Sequence, residues 1–395
     1  MAEHFDVLII GGGVVGASTA YHLAALGGKK ICLIEREQIG SGGTGRSCAI
    51  VRTHYSVPSN TALTVKSLEM FSDFAGYLDD PELTAGFVRS GYLILAGEGK
   101  TSDMLVDNMR MQESVGAETF PVTHKEALEH HPHLKFDDIG AVGYEPRSGY
   151  ADPHLTTGGF AQAARRRGVT FKIGCRVSKI LCEGQRAVGV ETDQGAIHAD
   201  CIISAIGPWT RELTDPLGIE THLDISRHTV LTLRGDIDYG RELPVIKDLS
   251  TQNKMYFRPA SGGVVLVGTG DHGDPITDAD DVNETVEDDF VLTQGGQIAR
   301  RMANFDSAEI TDSWVGVYDI TPDWNPALGT PEGWQGLILA YGFSGHGFKL
   351  GPAVGKMLAQ SALGQETDVD ITPYRLGRFD TGELLTGTYG IGSIA

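Results

Sequence analysis

A glycine-rich segment near the N-terminus has the spacing of a dinucleotide-binding loop. Gly11, Gly13 and Gly16 form a G-x-G-x-x-G pattern, and Glu35 follows nineteen residues after the last glycine. In such a loop the first glycine allows a tight turn, the second lets the backbone approach a pyrophosphate, and the third lets a helix pack closely on a strand. The helix N-terminus attracts the phosphates, and the acidic residue binds ribose hydroxyls. The motif predicts a site for NAD or FAD and does not by itself distinguish them.

The elements that must position this loop lie directly on either side of it. Residues 6–10 are a short apolar run rich in β-formers, residues 17–26 carry helix formers with apolar spacing, and residues 30–34 form a second buried strand. Gly27 and Gly28 follow the helix, where a C-cap is expected. The pattern predicts a βαβ unit with parallel strands.

Further elements can be predicted along the rest of the chain. Apolar runs indicate strands at residues 91–95, 169–173, 188–192, 200–204 and 336–340. Residues 262–268 (GGVVLVG) are typical of a strand in a different, antiparallel sheet. The eight acidic residues within 274–290 predict a solvated loop that leads into a helix, and a last helix is expected after Pro352.

The composition limits the class of protein. The chain has 32 Lys and Arg against 52 Asp and Glu, a net charge of −20, which argues against nucleic acid or an anionic membrane surface as partners. Its 395 residues, 21% charged and 41% apolar, predict a globular protein of two or three domains. Glycine, at 52 residues, is nearly twice as frequent as the usual ~7%.

The cysteines and the N-terminus indicate the compartment. The five cysteines are scattered without a C-x-x-C pair, which excludes a disulfide framework and suits a reducing environment. No secretion signal precedes the first strand, and no run reaches about 18 apolar residues. We therefore expect a cytoplasmic protein without a membrane span. The cluster His130-His131-x-His133 lacks suitably spaced carboxylates, so we expect surface histidines and no metal site.

Three further segments accompany the glycine motif. Residues 41–47 read SGGTGRS, and residues 49–55 read AIVRTHY. Residues 205–209 read AIGPW, with Val177 upstream, and residues 342–349 read GFSGHGFK.

The glycine motif and these three segments, in this order and spacing, resemble the conserved motifs of the FAD-dependent amine and amino-acid oxidoreductases. This is the family of D-amino-acid oxidase, glycine oxidase and sarcosine oxidase. The sequence is most similar to the β-subunit type of sarcosine oxidase. The resemblance covers nearly the whole chain and is weakest over residues 95–140 and 215–250. It implies that the cofactor is FAD.

The glycine motif and the resemblance together imply a set of cofactor-binding residues. These are Gly11, Gly13, Val14, Val15, Gly16, Glu35, Arg36, Gly43, Thr44, Gly45, Arg46, Ser47, Val177, Ala205, Gly207, Trp209, Gly345, Gly347, Phe348 and Lys349.

The resemblance also implies how a substrate would be held. Arg52 and Lys349 match the cationic pair that holds the substrate carboxylate in the sarcosine oxidase branch. A guanidinium and an ammonium that face one pocket would bind a carboxylate through charge-assisted hydrogen bonds. Any positive field left over would lower the pKa of the substrate amine and favour its neutral form. The alternative is that either residue is a surface cation or pairs with an Asp.

Aromatic residues complete the implied catalytic set. Tyr256 and Tyr318 match two tyrosines that line the pocket in the same branch, although a tyrosine on a sheet also fits a purely structural place in the core. His346 stands within the last glycine-rich segment, within reach of a substrate. His54 and His272 are further candidates, with ordinary loop histidines as the alternative.

Three departures from the family pattern bear on the cofactor. Gly316 stands where monomeric sarcosine oxidases attach the flavin to a cysteine, which implies non-covalent FAD. Ala151-Asp152 stands where the β-subunit type carries a covalent FMN on a histidine, so a second flavin is not expected. Leu266 replaces a lysine that activates oxygen, and a cation there would stabilise developing superoxide. The electron acceptor could therefore be oxygen or another oxidant.

The expected architecture is α/β, with two domains that are interleaved along the chain. Residues 1–90, 145–215 and 312–395 are predicted to form a Rossmann-type FAD-binding domain with a parallel sheet. Residues 91–144 and 216–311 are predicted to form a smaller substrate-binding domain with an antiparallel sheet. Substrate would lie in the cleft between the two.

The predicted reaction is the FAD-dependent oxidation of a primary or secondary amine of an amino acid. Sarcosine, another N-substituted glycine, glycine or an opine-like imino acid would lose a hydride to flavin N5, and the imine would then hydrolyse. Oxygen or another acceptor would reoxidise the flavin. Two alternatives are an accessory flavin subunit of a hetero-oligomeric amine dehydrogenase or oxidase, and a tRNA-modifying flavoenzyme of the same fold, against which the net charge counts. Homo- and hetero-oligomers both stay open.

Overall fold

The computed structural model describes residues 3–237, 239–270 and 274–391. Its strands are, in chain order, β1 (Glu3–Ile10), β2 (Ile31–Glu35), β3 (Ile50–Val51), β4 (Tyr92–Gly97), β5 (Phe120–Val122), β6 (Ile139–Glu145), β7 (Gly149–Tyr150), β8 (Thr170–Ile173), β9 (Val177–Glu183), β10 (Arg186–Thr192), β11 (Gly195–Ser204), β12 (Asp224–Arg234), β13 (Val245–Asp248), β14 (Tyr256–Ala260), β15 (Val264–Gly268), β16 (Pro275–Ile276), β17 (Glu309–Ile320), β18 (Ala327–Gly329) and β19 (Leu337–Tyr341).

The helices of the same residues are α1 (Val14–Ala25), α2 (Pro58–Ser72), α3 (Phe74–Leu78), α4 (Lys100–Ser114), α5 (His124–His130), α6 (Pro153–Arg166), α7 (Thr210–Thr214), α8 (Asp288–Arg301), α9 (Gly347–Ala362) and α10 (Arg378–Thr381). Single 3₁₀ turns occur at Gly207–Trp209, Asp215–Leu217 and Thr372–Tyr374.

The first sheet is built on parallel strands. Its order in the described residues is β18-β19-β11-β1-β2-β8, in which β19, β11, β1, β2 and β8 run parallel and β18 is antiparallel. Strands β9 and β10 extend it as an antiparallel pair on β11. The strands predicted at residues 6–10, 30–34, 169–173, 188–192, 200–204 and 336–340 all fall in this sheet and are confirmed.

The second sheet is mainly antiparallel. Its order in the described residues is β16-β12-β15-β14-β13-β4-β6-β5, with β17 paired to β12 and only β13 and β4 parallel. Strand β15 confirms the antiparallel strand predicted from GGVVLVG. The α/β fold with one parallel and one antiparallel sheet is thereby confirmed. The two-domain division stays a prediction, and its boundary at residue 312 would fall inside β17.

The carboxyl ends of the parallel strands bring the predicted motifs to one edge of the first sheet. Strand β1 leads into Gly11, β2 ends at Glu35, and β11 leads into Ala205. Strand β19 leads into the last glycine-rich segment at the same edge, because β19 runs parallel to β11. Ligands of open parallel sheets bind beyond this edge.

Helix α9 begins earlier than predicted. The helix expected after Pro352 starts at Gly347 and contains the proline, so that prediction was wrong at its start. Close packing on α1 offsets the disruption that an interior proline causes. A Cβ at Gly351 would lie 2.7 Å from Val14 Cγ1, and Ser18 Oγ donates to the Pro352 carbonyl at 2.8 Å. The early start brings the helix N-terminus to the edge described above.

A membrane-crossing helix is not found in the described ranges, where every helix is too short or too polar to span a bilayer.

Candidate functional site

A long cleft lies between the carboxyl edge of the parallel sheet and the second sheet. Ile10, Ile34 and Ala205 line it from the first sheet, and His228 and Tyr318 line it from β12 and β17. It encloses about 1510 Å³ of empty space, the open mouth included. Its length and position between two sheets suit an extended ligand.

The glycine motif shapes the floor of the cleft. Gly11 has a φ of +105°, and a Cβ there would lie 2.5 Å from the Ala205 carbonyl oxygen. A Cβ at Gly16 would overlap the Gly11 carbonyl, so this glycine lets α1 pack on the loop. A Cβ at Gly13 would project toward Thr44 Oγ1 at 3.1 Å, on the cleft side. The turn at Gly11 and the close packing at Gly16 are two of the steric tasks that the motif predicts, and the approach of Gly13 to a pyrophosphate stays a prediction.

The N-terminus of α1 offers an anion site to the cleft. Gly13 is its N-cap and provides no capping side chain, so first-turn N–H groups face the cleft, where they attract anionic groups. Thr44 Oγ1 accepts one of them, from Val14, at 3.2 Å. The Glu35 carboxylate accepts from the backbone N–H of Gly12 at 2.6 Å and from that of Glu37 at 2.8 Å, which fixes it on the cleft wall.

Ion pairs that the sequence did not predict hold two arginines of the cleft wall. Arg36 pairs with Asp280 at 2.7 Å and lies 4.2 Å from the ring centroid of Trp209, whose Nε1 donates to Asp280 at 2.8 Å. Arg46 pairs with Glu284 at 2.8 Å. The acidic stretch leads into α8, as predicted, but it contains the short strand β16, and two of its carboxylates bind arginines of the cleft instead of being only solvated.

Most predicted cofactor residues line the cleft, and three do not. Those that line it are Gly11, Gly13, Val14, Val15, Glu35, Arg36, Gly43, Thr44, Arg46, Ser47, Val177, Ala205, Gly207, Trp209, Gly345, Gly347 and Phe348. Gly16 packs behind the loop, Gly45 packs against the Gly40 backbone, and the Lys349 side chain lies deeper. Lining residues that sequence reasoning missed include Cys48, Cys175, His228, Asp319 and Phe343.

Of the two predicted tyrosines, Tyr318 lines the cleft and Tyr256 lies behind Cys48 of its wall. Tyr318 stacks on His228, with ring centroids 3.8 Å apart, and its ring occupies the space that a Cβ at Gly345 would need. The Tyr256 hydroxyl lies 3.2 Å from Cys48 Sγ. Burial raises the pKa of both tyrosines well above 10 and lowers the pKa of His228 to about 3. These groups are therefore neutral at physiological pH.

Arg52 and Lys349 do not line the cleft but are buried close to Tyr318 and Cys48 of its wall. Their exposed fractions are 3% and 6%. The Arg52 guanidinium lies 4.3 Å from the ring centroid of Tyr55 and donates to the His54 carbonyl, while Lys349 Nζ donates to the Gly345 carbonyl at 3.2 Å. Burial, followed by the charge of Arg52, holds the pKa of Lys349 well below its usual value. The alternative in which either residue is a surface cation is wrong.

His346 does not line the main cleft. Its Nδ1 lies 3.1 Å from the Tyr55 hydroxyl, and it borders a second, smaller cavity of about 370 Å³ together with Tyr55 and Trp324. The reason is its position as N-cap of α9, which turns its side chain to the far side of Tyr55. Contact between His346 and a bound substrate therefore stays a prediction.

The other candidate histidines differ in placement. His54 is buried 4.0 Å from Glu145, and burial lowers its pKa to about 3. Glu145, which the sequence did not single out, accepts from the Thr53 N–H at 2.9 Å and from Ser148 Oγ at 2.5 Å, and burial raises its pKa. His272 lies outside the described residues.

Two expectations about metals and cysteines can be compared with the structure. His131 is fully buried and hydrogen-bonded to the Tyr239 hydroxyl, so the expected surface position was wrong for this member of the cluster. Helix α5 ends directly before it and turns the side chain into the second sheet's core. In the described part of the chain, no group of His, Cys, Asp and Glu side chains could hold a metal ion. All five cysteines are free thiols.

Comparisons with known proteins identify the family of the chain. Residues 6–361 match the family model described as FAD dependent oxidoreductase. The chain is 28% identical to 4-methylaminobutanoate oxidase (formaldehyde-forming) of Paenarthrobacter nicotinovorans over 96% of its own length, but spans only 46% of that protein. It is 27% identical to sarcosine oxidase subunit beta of an Arthrobacter species, covering 97% of this chain and 93% of the subunit.

A solved structure matches the fold over its full length. The crystal structure of L-proline dehydrogenase from P. horikoshii superimposes with a TM-score of 0.89 and 27% identity, covering 97% of this chain and 100% of that one.

Proposed function

The chain belongs to the family of FAD-dependent oxidoreductases, and from that premise we propose that it oxidises the amine group of an amino acid with FAD held in the cleft. One observation carries the proposal. Two buried cations, Arg52 and Lys349, lie near the neutral Tyr318 of the cleft wall, and the same cleft is lined by the glycine loop. The buried cations suit a carboxylate group, and the glycine loop suits a dinucleotide.

The residues of the cleft fit FAD. Gly13 leaves open the space that a Cβ would fill, the α1 N-terminus attracts phosphates, and Glu35 accepts hydroxyl donors. Gly316 lines the cleft without a side chain that could attach a flavin, which supports non-covalent binding. FAD, when bound, accepts the hydride that the substrate loses.

The protein's own groups would bind and orient the substrate. Arg52 and Lys349 would hold its carboxylate, which fixes the amine and the neighbouring C–H bond relative to the cleft. Because both cations are buried, their field also disfavours a protonated amine, and the neutral amine is the form that loses a hydride. Tyr256 and Tyr318, held neutral by their raised pKa values, would supply hydroxyl groups and not charges.

The substrate class is an amino acid with a secondary or primary amine, such as sarcosine, another N-substituted glycine or glycine. Support comes from the names of the similar proteins, whose substrates sarcosine, proline and 4-methylaminobutanoate each carry a carboxylate and a secondary amine. The electron acceptor is oxygen or another oxidant, because the buried Leu266 supplies no cation of its own to stabilise developing superoxide. A cytoplasmic location and a homo- or hetero-oligomer stay predictions, the latter supported by the likeness to a subunit.

Anaerobic mixing with a panel of amino acids tests the proposal. The purified yellow protein is mixed with N-methyl, N-carboxymethyl and free amino acids, and its visible flavin absorbance is followed. We expect bleaching by at least one of them, and air is then admitted. Rapid recovery with peroxide identifies an oxidase, and slow recovery identifies a dehydrogenase. A flavin that no member of the panel bleaches would contradict the proposal and favour an accessory subunit.

A further inference from the structure

The backbone that directly follows Arg52 is held by a buried carboxylate. Glu145, the last residue of β6, has an exposed fraction of 0%. Its Oε2 accepts the backbone N–H of Thr53 at 2.9 Å and the hydroxyl of Ser148 at 2.5 Å. Burial of a carboxylate is costly unless hydrogen bonds replace its lost hydration, so these two bonds fix the Glu145 side chain in one place.

Regular secondary structure does little to fix this part of the chain. Residues 52–57 belong to no helix or strand, and β3 before them pairs with β7 over only two residues. Strand β7 follows Glu145 closely in the chain. The hydrogen bond from Thr53 to Glu145 therefore extends, past the end of β3, the contact between these two parts of the chain.

The guanidinium of Arg52 is oriented by the residues that follow Thr53. It donates to the carbonyl of His54 and lies 4.3 Å from the ring centroid of Tyr55. Hydrogen bonds weaken steeply as distance and angle depart from their optimum. A shift of the backbone at Thr53 would move both the carbonyl and the ring, so the bond to Glu145 sets the orientation of the guanidinium.

Other parts of the fold hold the far end of the same segment. Gln112 Nε2 on α4 donates to the Tyr55 carbonyl at 2.7 Å, and His54 Nε2 lies 3.1 Å from the Tyr389 hydroxyl. These contacts fix residues 54 and 55, whereas Glu145 fixes the residue between them and Arg52.

The arrangement around Glu145 costs folding stability. Its second oxygen, Oε1, lies 4.0 Å from His54 Nδ1, and neither atom has a hydrogen-bond partner among the described residues. A buried polar atom without a partner is destabilising. Burial raises the pKa of Glu145, and the nearby charge of Arg52 counteracts part of this rise. Local costs of this kind are typical of functional sites.

We infer that Glu145 is a positioning residue that, through the Thr53 N–H, holds Arg52 in the orientation that binds the substrate carboxylate. This inference rests on the proposed function, because it presupposes that Arg52 binds that carboxylate. Glu145 itself contacts neither substrate nor cofactor in this account.

The test is a double-mutant cycle of Glu145→Met and Arg52→Met in the flavin-loaded protein, with glycolate as the carboxylate probe. The visible flavin spectrum reports the dissociation constant. Arg52→Met alone should weaken glycolate binding roughly tenfold to a hundredfold, and Glu145→Met alone should weaken it about tenfold. In the Arg52→Met background, Glu145→Met should change the dissociation constant less than about twofold, because the residue that it positions is gone.

Two further variants examine how Glu145 acts. Glu145→Gln keeps an acceptor oxygen for Thr53 and should retain most of the affinity. Ser148→Ala removes one of the two donors that fix the carboxylate, and it should cause a smaller loss that also disappears in the Arg52→Met background. This second cycle replaces the first if Glu145→Met does not retain its flavin. Flavin content and thermal melting establish that each variant is folded.

Three results would overturn the inference while the amine oxidation stands. They are wild-type affinity for glycolate in the folded Glu145→Met protein, equal losses with and without Arg52 in the cycle, and a loss in Glu145→Gln as large as that in Glu145→Met. Equal losses would mean a general structural defect, and a loss in Glu145→Gln would mean that the charge acts instead of the hydrogen bonds. By contrast, wild-type affinity for glycolate in Arg52→Met would contradict the carboxylate site of the proposed function itself.

Discussion

Replacement of Lys349 by methionine separates a substrate-binding lysine from a structural one. Lys349 lies on the first turn of α9, and its ammonium is buried among Arg52, Lys247 and the Gly345 carbonyl. Methionine keeps most of the length and the apolar stem, so Lys349→Met removes mainly the charge and its hydrogen bonds.

The magnitude follows from the burial of the group. A hydrogen bond to a charged group contributes about 1.5–3 kcal/mol, which corresponds to roughly a tenfold to hundredfold change in a binding constant. The stability of the ligand-free protein should not fall together with the affinity for the carboxylate. Because burial disfavours the Lys349 ammonium, as its lowered pKa records, the variant without ligand should melt no lower than the wild type.

The assay is a titration of flavin-loaded protein with glycolate, a carboxylate that carries no amine. Binding is followed through the visible flavin spectrum. Lys356→Met is the matched control, because Lys356 lies on the same helix but forms an ion pair with Asp368 at 2.6 Å. We expect weaker glycolate binding only in Lys349→Met, with a normal flavin spectrum in both variants.

An unchanged dissociation constant in a folded, flavin-loaded Lys349→Met protein would refute the reasoning. Lys349 would then be a structural cation, and the carboxylate site would have to lie elsewhere. A large drop in melting temperature without a binding change would lead to the same conclusion.

Three further predictions concern the cofactor loop, a buried acid and the ion-pair cluster. Gly13→Val should yield protein without flavin, because the valine side chain would fill the space of the pyrophosphate. Gly158→Val is the control and should keep its flavin, because a Cβ at Gly158 would have nothing within 4 Å. Visible absorbance after purification measures the flavin content, and a yellow Gly13→Val protein would contradict the dinucleotide site. Burial raises the pKa of Asp319 from 3.8 to about 6, so folding favours its protonated form. The unfolding free energy of the wild type should therefore fall by about 3 kcal/mol as pH rises from about 4 to 6. In Asp319→Asn this decrease should be absent, and urea unfolding at several pH values measures the free energy of both proteins. Identical pH profiles for the two proteins would contradict the role of Asp319. Asp280→Ala should weaken FAD binding by no more than about fivefold, and by less in high salt, because the ion pair between Arg36 and Asp280 is partly exposed. A fluorescence titration with FAD measures the dissociation constant. A larger loss of affinity that does not depend on salt would mean that Asp280 contacts the cofactor.

Local sequence predicted the features that depend on neighbouring residues. The G-x-G-x-x-G loop requires a strand before it and a helix after it, and both are visible in the residues next to Gly11. Apolar runs likewise predicted β2, β11 and β19, because buried parallel strands carry apolar residues on both faces. The steric roles of Gly11 and Gly16 follow from the same local geometry.

Features that depend on distant pairing could not be predicted in this way. Lys247 is buried only because β13 lies between β14 and β4 in the second sheet, and no local pattern separates it from a surface lysine. The ion pair of Arg36 with Asp280 joins residues that are far apart in the chain. The contact of His346 with the Tyr55 hydroxyl likewise joins two distant segments of the chain.

The most direct test of the central claim compares an amino acid with its decarboxylated amine. Flavin-loaded protein is mixed anaerobically with sarcosine or iminodiacetate, and in parallel with dimethylamine, which keeps the secondary amine and lacks any carboxylate. The buried cations predict that the carboxylate-bearing amines bleach the flavin and that dimethylamine at the same concentration does so far more slowly or not at all. Equal bleaching by dimethylamine, or none by any amino acid, would contradict a site built to oxidise the amine of an amino acid.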